Sequence, residues 1–206
     1  MCGRYASPES SAIERQWALL RSSGTPFAAR YNVAPGTEVP LMARKSGGLV
    51  LGPARWGFVP RWWKQARPPR LSHNARLEEA ATKPMWRDAM QRGRALLPAL
   101  GWYEWREDDR QPYFFRPADG SLAALAALFS VIEGRVTCAV LTEAARGPAA
   151  SVHARMPVVL GSDAQSKWLD GGEVPAAPPS LEFHPVRRLL NSATAEGAEL
   201  IEQAGA

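Results

Sequence analysis

Residues 113–142 read YFFRPADGSLAALAALFSVIEGRVTCAVLT. Three apolar runs are separated by two turn signals, Asp119-Gly120 and Glu133-Gly134. Such pairs favour the tight turns that join antiparallel strands. The stretch predicts strands over 113–116, 123–132 and 135–142, paired consecutively. The Ala-rich segment 122–128 fits a helix equally well, and periodicity leaves that choice open.

Working outward, 96–105 carries another strand-like apolar run, and 156–160 a further strand. Strands over 39–42 and 49–55 flank a turn at Ser46-Gly47-Gly48, and the chain turns again around Asn32-Val33-Ala34-Pro35-Gly36. Ser7-Pro8-Glu9 reads as an N-cap, a first-turn proline and an acid. Ile13, Trp17 and Leu20 then share one helical face, and Gly24 ends the helix. A second helix is predicted over 82–91, with Pro84 in its first turn and Gly93 beyond it. Ser162 caps a third that runs to Leu169, and 174–179 is a loop. Short strands interleave with short helices, with no repeat and no linker. The expectation is a single α+β domain over 1–206.

Composition narrows the function. The chain has 206 residues, 46% of them hydrophobic and 22% charged. That is ordinary for a globular protein large enough to bury a core. The longest apolar stretch, 122–132, is short of the ~18 residues of a membrane span. No leader resembles a signal peptide. The expected location is cytoplasmic, or nucleoid-associated in a bacterium. Two cysteines, Cys2 and Cys138, do not make a disulfide framework. His73, His153 and His184 lie far apart without zinc-ligand spacing, so neither metal nor cofactor is expected. No heptad or apolar stripe points to an oligomer, so a monomer is expected.

The net charge is +5, and all but four of the 25 basic residues are arginine. An Ala- and Arg-rich composition also follows from a GC-rich genome, so distribution matters more than the total. Between positions 55 and 76 lie six Lys or Arg and no acid, together with three of the eight tryptophans. Cations neutralise phosphates and flat aromatics stack on bases, each stacked base contributing ~1–3 kcal/mol. Pro60 and Pro68-Pro69 argue against regular structure here. The competing reading is a tryptophan cluster in the core. Trp56, which follows a strand, is assigned to the core. Trp62 and Trp63 are adjacent, so an extended chain points them in opposite directions and exposes one.

Four places carry groups that can do chemistry. Removal of Met1 would give Cys2 a free α-amine beside its thiol, with ordinary pKa values of ~8 and ~8.5. The amine condenses with an aldehyde to an imine, and the thiol then closes a five-membered thiazolidine. Asn74, within Ser72-His73-Asn74-Ala75-Arg76, can hold a substrate oxygen. Glu104, within Gly101-Trp102-Tyr103-Glu104-Trp105, is either an exposed strand residue or a desolvated carboxyl with raised pKa suited to proton transfer. His153 is either a structural imidazole or a proton carrier near pH 7.

Six motifs then occur in order. They are Met1-Cys2-Gly3-Arg4-Tyr5, Arg30-Tyr31-Asn32-Val33-Ala34-Pro35, Arg55-Trp56-Gly57-Phe58-Val59-Pro60, Asn74-Ala75-Arg76-Leu77-Glu78, Gly101-Trp102-Tyr103-Glu104-Trp105 and His153-Ala154-Arg155-Met156-Pro157. The chain closely resembles the SOS-response-associated peptidase (SRAP) family, the abasic site processing proteins. The resemblance implies an α+β fold with mainly antiparallel strands in a barrel-like core and short flanking helices. It implies a sensor and covalent trap of abasic sites in single-stranded DNA, with AP-lyase, crosslink-reversal and self-cleaving peptidase activities. In that scheme Cys2 is the nucleophile, Asn74 orients it, Glu104 moves protons, and His153 assists ring opening. Arg4, Arg76, Thr142 and Arg155 match positions that contact the DNA backbone. Pro35, Trp62 and Trp63 match a wedge that splays the strand, so a single-strand/duplex junction also fits. Replication-fork proteins are conceivable partners that the sequence does not identify. Leu100 stands where the family usually has Asp.

Two other function classes fit the residues. One is an N-terminal-nucleophile cysteine peptidase or amidase, with Asn74 and His153 as oxyanion donor and base. The other is a non-catalytic single-stranded DNA binder that uses only the Trp/Arg segment.

Overall fold

The structure, a computed structural model, describes residues 2–22, 24–65, 68–70, 72–174 and 178–205. Met1, Arg67 of the basic segment and the middle of the loop expected over 174–179 lie outside the described residues. The chain begins with β1 (Arg4–Ser7), α1 (Ser10–Gln16), β2 (Leu19–Ser22), β3 (Arg30–Val33), β4 (Glu38–Lys45) and β5 (Gly48–Trp56). It continues through β6 (Asn74–Arg76), α2 (Leu77–Ala80), α3 (Arg87–Arg92), β7 (Arg94–Ala99), β8 (Gly101–Trp105) and β9 (Pro112–Pro117). After β10 (Ala123–Ile132) and β11 (Arg135–Ala144), a 3-10 turn over Gly147–Ser151 leads to β12 (Arg155–Pro157) and β13 (Val159–Leu160). Then come α4 (Ser162–Leu169), β14 (Leu181–Pro185) and two 3-10 turns over Arg188–Asn191 and Ala198–Ile201.

The Ala-rich segment is a strand, because β10 is buried on both faces. Ala123, Leu125 and Ala127 pack into one cluster with Cys2, Trp56 and Trp102. Ala124, Ala126 and Leu128 pack into another with Ile13, Ala89 and Trp168 from α1, α3 and α4. A strand covered on both sides needs apolar residues at every position, which erases the period-two signal. Glu133 and Gly134 both have positive φ, 48° and 77°, and make the tight turn into β11. Strands β11, β10, β7, β4 and β5 are neighbours in that order, and β5 pairs back onto β11 in parallel, Arg55 opposite Thr137 and Trp56 opposite Cys138. That pairing closes the barrel-like core.

The second sheet has the order β14-β9-β8-β1-β3. The run 96–105 is therefore two strands in two sheets. The chain leaves the barrel at Leu100, whose N–H donates to Ala6 O at 2.8 Å. It returns after Asp119-Gly120. Residues 113–116 accordingly pair with β8 and β14, and the expected pairing with 123–132 does not form. Gly101 makes the crossing possible: a Cβ there would sit 2.2 Å from Phe115 O and 2.4 Å from the Phe114 ring.

The helices depart from expectation in their limits. Ser7 belongs to β1, and α1 starts at Ser10 after a Glu9 cap. Ser10 is buried, and its Oγ accepts from Phe27 N–H at 2.8 Å. Helix α1 ends at Gln16, because Leu19–Ser22 pairs in parallel with β5. Ile13 and Trp17 are buried as expected, but Leu20 is exposed on that edge strand. The helix expected over 82–91 begins only at Arg87, and Ser162 is the first residue of α4 after a Gly161 cap. The strand expected over 156–160 is divided into β12 and β13.

Candidate active site

Strand β1 brings the start of the chain to the seam between the barrel and the second sheet. Arg4 pairs with Tyr103 and Tyr5 with Trp102. Carried one residue further, that register sets Gly3 opposite Glu104. Along β8, Trp102 and Glu104 face one way and Tyr103 and Trp105 the other. Trp102 packs in the cluster that holds Cys2, so Glu104 faces the same side. From the barrel, β6 pairs in parallel with β11, Asn74 opposite Val140. Asn74 Nδ2 donates to Cys2 O at 2.7 Å, which fastens the Cys2 end across the seam. Asn74 Oδ1 is buried with no hydrogen-bond partner among the described residues.

Glu104 is 2% exposed. Burial raises its carboxyl from 4.5 to about 7. Removing a carboxylate from water penalises the charged form, and nothing here outweighs that penalty. Cys2 is fully buried, and its thiol is pushed up by burial and then by the nearby Glu104 carboxylate. His153 follows the 3-10 turn, its N–H donating to Ala149 O at 3.0 Å. His153 Nδ1 lies 2.9 Å from Arg155 N and 3.0 Å from Arg155 O, so the Arg155 backbone fixes the ring. Burial lowers the imidazole pKa and favours the neutral ring. Glu104 and His153 line one pocket of about 400 Å³ with Trp105, Glu107 and Arg110. A carbonyl entering it meets a proton donor near neutrality and a neutral imidazole.

The residues expected to hold DNA fall into three groups. Arg155 makes a bidentate pair with Glu78, its Nη2 lying 3.1 Å from Oε2, and donates to Thr142 O at 2.7 Å. Thr142 was expected to touch the backbone of DNA, but it is fully buried, with its hydroxyl 3.4 Å from Ala75 O and 3.2 Å from Arg155 Nη2. Arg76 is exposed near Glu79, at 3.8 Å. Arg4 donates to Asn32 Oδ1 at 2.6 Å, and Asn32 Nδ2 donates to Ser192 O and Ala195 O at 2.9 Å each.

Pro35 opens a turn whose Gly36 has φ +91° and donates its N–H to Trp56 O at 2.6 Å. Trp62 is 52% exposed, while Trp63 is partly buried, with ring centroids 5.8 Å apart. Trp56 is a core residue: it is fully buried and donates from Nε1 to His73 O at 2.8 Å. Cys138 lies inside the barrel, its thiol pushed up to about 12 by burial. Sequence reasoning missed Glu78 as the holder of Arg155. It lies in the Asn-Ala-Arg-Leu-Glu motif, but nothing local links it to a partner 77 positions away.

A family model described as SOS response associated peptidase (SRAP) matches residues 1–193. The chain is 37% identical over 226 residues to the abasic site processing protein YedK of Escherichia coli (strain K12), covering 98% of this chain and 99% of that one. It is 28% identical over 250 residues to the abasic site processing protein HMCES of Gallus gallus, covering 93% and 74%. Among solved structures, an X-ray structure of a Bordetella bronchiseptica protein has a similar fold, with TM-score 0.77, 20% identity and coverage of 90% of this chain and 100% of that one.

Proposed function

The chain belongs to the SRAP family, and from that premise we propose that it traps abasic sites in single-stranded DNA as a covalent adduct on Cys2. One observation carries the reading: a buried carboxyl titrating at about 7 shares a pocket with a neutral imidazole, beside the anchored Cys2.

The mature chain begins at Cys2 once Met1 is removed, by self-cleavage or by an aminopeptidase. Its amine attacks C1′ of the ring-opened sugar and forms a carbinolamine. Glu104, in its acid form, gives a proton to the departing hydroxyl; water leaves and an iminium remains. Glu104 is then a carboxylate and can accept the thiol proton as sulfur bonds to the imine carbon. That acceptance matters because burial keeps the Cys2 thiol protonated. The product is a thiazolidine, with one water lost overall. Asn74 holds the Cys2 carbonyl and offers Oδ1 to a proton of the amine or of the sugar. His153 assists ring opening and contacts the adjoining phosphate.

Lyase activity follows from the same imine, which acidifies the C2′ proton and lets the 3′ phosphate leave by β-elimination. Crosslink reversal retraces the steps with Glu104 as the acid. Arg4, Arg76 and Arg155 bind the backbone, with Thr142 and Glu78 holding Arg155. Pro35, Trp62 and Trp63 splay the strand beside the lesion, which also accommodates a single-strand/duplex junction.

The test is incubation of the Met-trimmed protein with single-stranded DNA carrying one abasic site, followed by a denaturing gel. A heat-stable shifted band without borohydride is expected, and Cys2→Ala abolishes it. Equal crosslinking by Cys2→Ala would rule out the thiazolidine. Turnover of peptides but not of abasic DNA would favour an N-terminal-nucleophile peptidase.

A further inference from the structure

Beyond the Cys2 site, the barrel has an open mouth of about 550 Å³ at the far end of β11. Its floor is made by Leu41, Ala43, Val50, Phe129, Val131 and Val136. Four of these, Leu41, Ala43, Phe129 and Val136, belong to or pack on the cluster that fills the barrel, so the floor is the end of the core. Val131 is 41% exposed there. Arg21, Lys45, Arg55 and Arg135 stand around the rim, and none of the four makes an ion pair among the described residues. Arg44 is also there but is paired with Asp170 at 2.8 Å. Against these cations the rim holds Glu38, with Glu133 in the adjoining turn.

Strand β11 separates this mouth from the active site. Arg135 is at the mouth, while Thr142, opposite Arg76, is at the other end. Seven strand residues span about 23 Å. The floor continues past Arg21, Lys45 and Val50 into a shallower groove beside Leu20, which is 56% exposed. Barrel mouths are common ligand sites, and this volume falls within the range of about 300–1,000 Å³ that such sites occupy.

We propose that this mouth docks an acidic peptide segment of a partner protein, with an aliphatic side chain in the floor and carboxylates on the arginine rim. Charge complementarity carries the choice, since unpaired cations spread around the whole opening suit several carboxylates rather than one. Arginine forks also match carboxylates bidentately. Single-stranded DNA is the weaker fit: bases stack on exposed aromatic faces. The floor is aliphatic except for Phe129, while the exposed Trp62 lines a different pocket.

The experiment titrates the full-length protein with a fluorescein-labelled twelve-residue Asp-rich peptide carrying a central Ile-Leu pair, read by anisotropy. Saturable binding that weakens with salt is expected. Replacing Ile-Leu by Ser-Ser, or the protein change Arg135→Glu or Val131→Asp, should weaken it at least tenfold. Both variants should retain the thermal melting transition and the abasic-DNA crosslinking of the wild type. Absence of saturable binding, or binding indifferent to both variants, overturns the proposal. So does displacement of the peptide by an undamaged oligonucleotide whose own binding is lost in Arg135→Glu, which would make the mouth part of the DNA path. Crosslinking is read separately, so failure here is distinguishable from failure of the Cys2 reading.

Discussion

Replacing Glu104 with Gln tests the environment of the site and its chemistry in one variant. The carboxyl is buried, and the fold raises it from 4.5 to about 7. At ~1.36 kcal/mol per pKa unit, that corresponds to about 3 kcal/mol between the two protonation states. The fold favours the acid form, so this stability is fully present below pH 4.5 and is lost as pH rises through 7. Glutamine has nearly the same shape and no proton to lose. Urea denaturation of both proteins from pH 4 to 9 should therefore show the difference moving toward the variant by about 3 kcal/mol, most steeply between pH 4.5 and 7. Crosslinking should behave in parallel. The wild-type rate should peak between about pH 7 and 8, where free Cys2 amine and acid-form Glu104 coexist, and fall above that as the acid form disappears; the variant should be slower by ~10²–10⁴-fold at pH 7. A stability difference flat within ~0.5 kcal/mol, or one that moves toward the wild type as pH rises, would refute the reasoning. Either would mean that the carboxyl is not held as an acid by burial.

Asn74→Ala removes the donor that holds Cys2 O and should slow crosslinking about fivefold at saturating DNA, since one such bond contributes ~1 kcal/mol; stopped-time gels measure it. Trp62→Ala should leave the urea midpoint nearly unchanged while weakening binding to undamaged single strands by about 5- to 150-fold, the equivalent of ~1–3 kcal/mol of stacking. Trp56→Ala, at a fully buried position, should instead lose ~3–5 kcal/mol of stability. Gly101→Ala forces a methyl against Phe115 O and the Phe114 ring and should destabilise by at least ~1–3 kcal/mol, seen as a lower urea midpoint.

Much of the barrel was legible in the sequence, because its strands are long and their turns chemically marked. The expected limits 123–132 match β10, and Glu133-Gly134 makes the expected turn. Pairing across Asp119-Gly120 was not legible. A turn signal says that the chain bends, and it does not say in which sheet the next strand finds its partner. The end of α1 was missed for a related reason: Leu20 continues the spacing of Ile13 and Trp17, yet parallel pairing of 19–22 with β5 overrides that period. Within the site, the residue types were readable but their meeting was not. Cys2 and Glu104 are joined through the β1–β8 register, and Asn74 arrives through β6 on β11, both of them long-range pairings. The burial that settles Glu104 between its two readings is likewise a product of tertiary packing. Thr142 entered through the family resemblance alone, and the Arg155–Glu78 pair beside it has no local signature.

The central claim is that the amine and thiol of Cys2 together capture the opened sugar. Mass spectrometry of the crosslink after nuclease and trypsin digestion tests it most directly. The account predicts the peptide Cys2-Gly3-Arg4 carrying the sugar remnant less one water, with no mass change on borohydride treatment. An adduct on a peptide that still begins with Met1, or on any lysine, would contradict it.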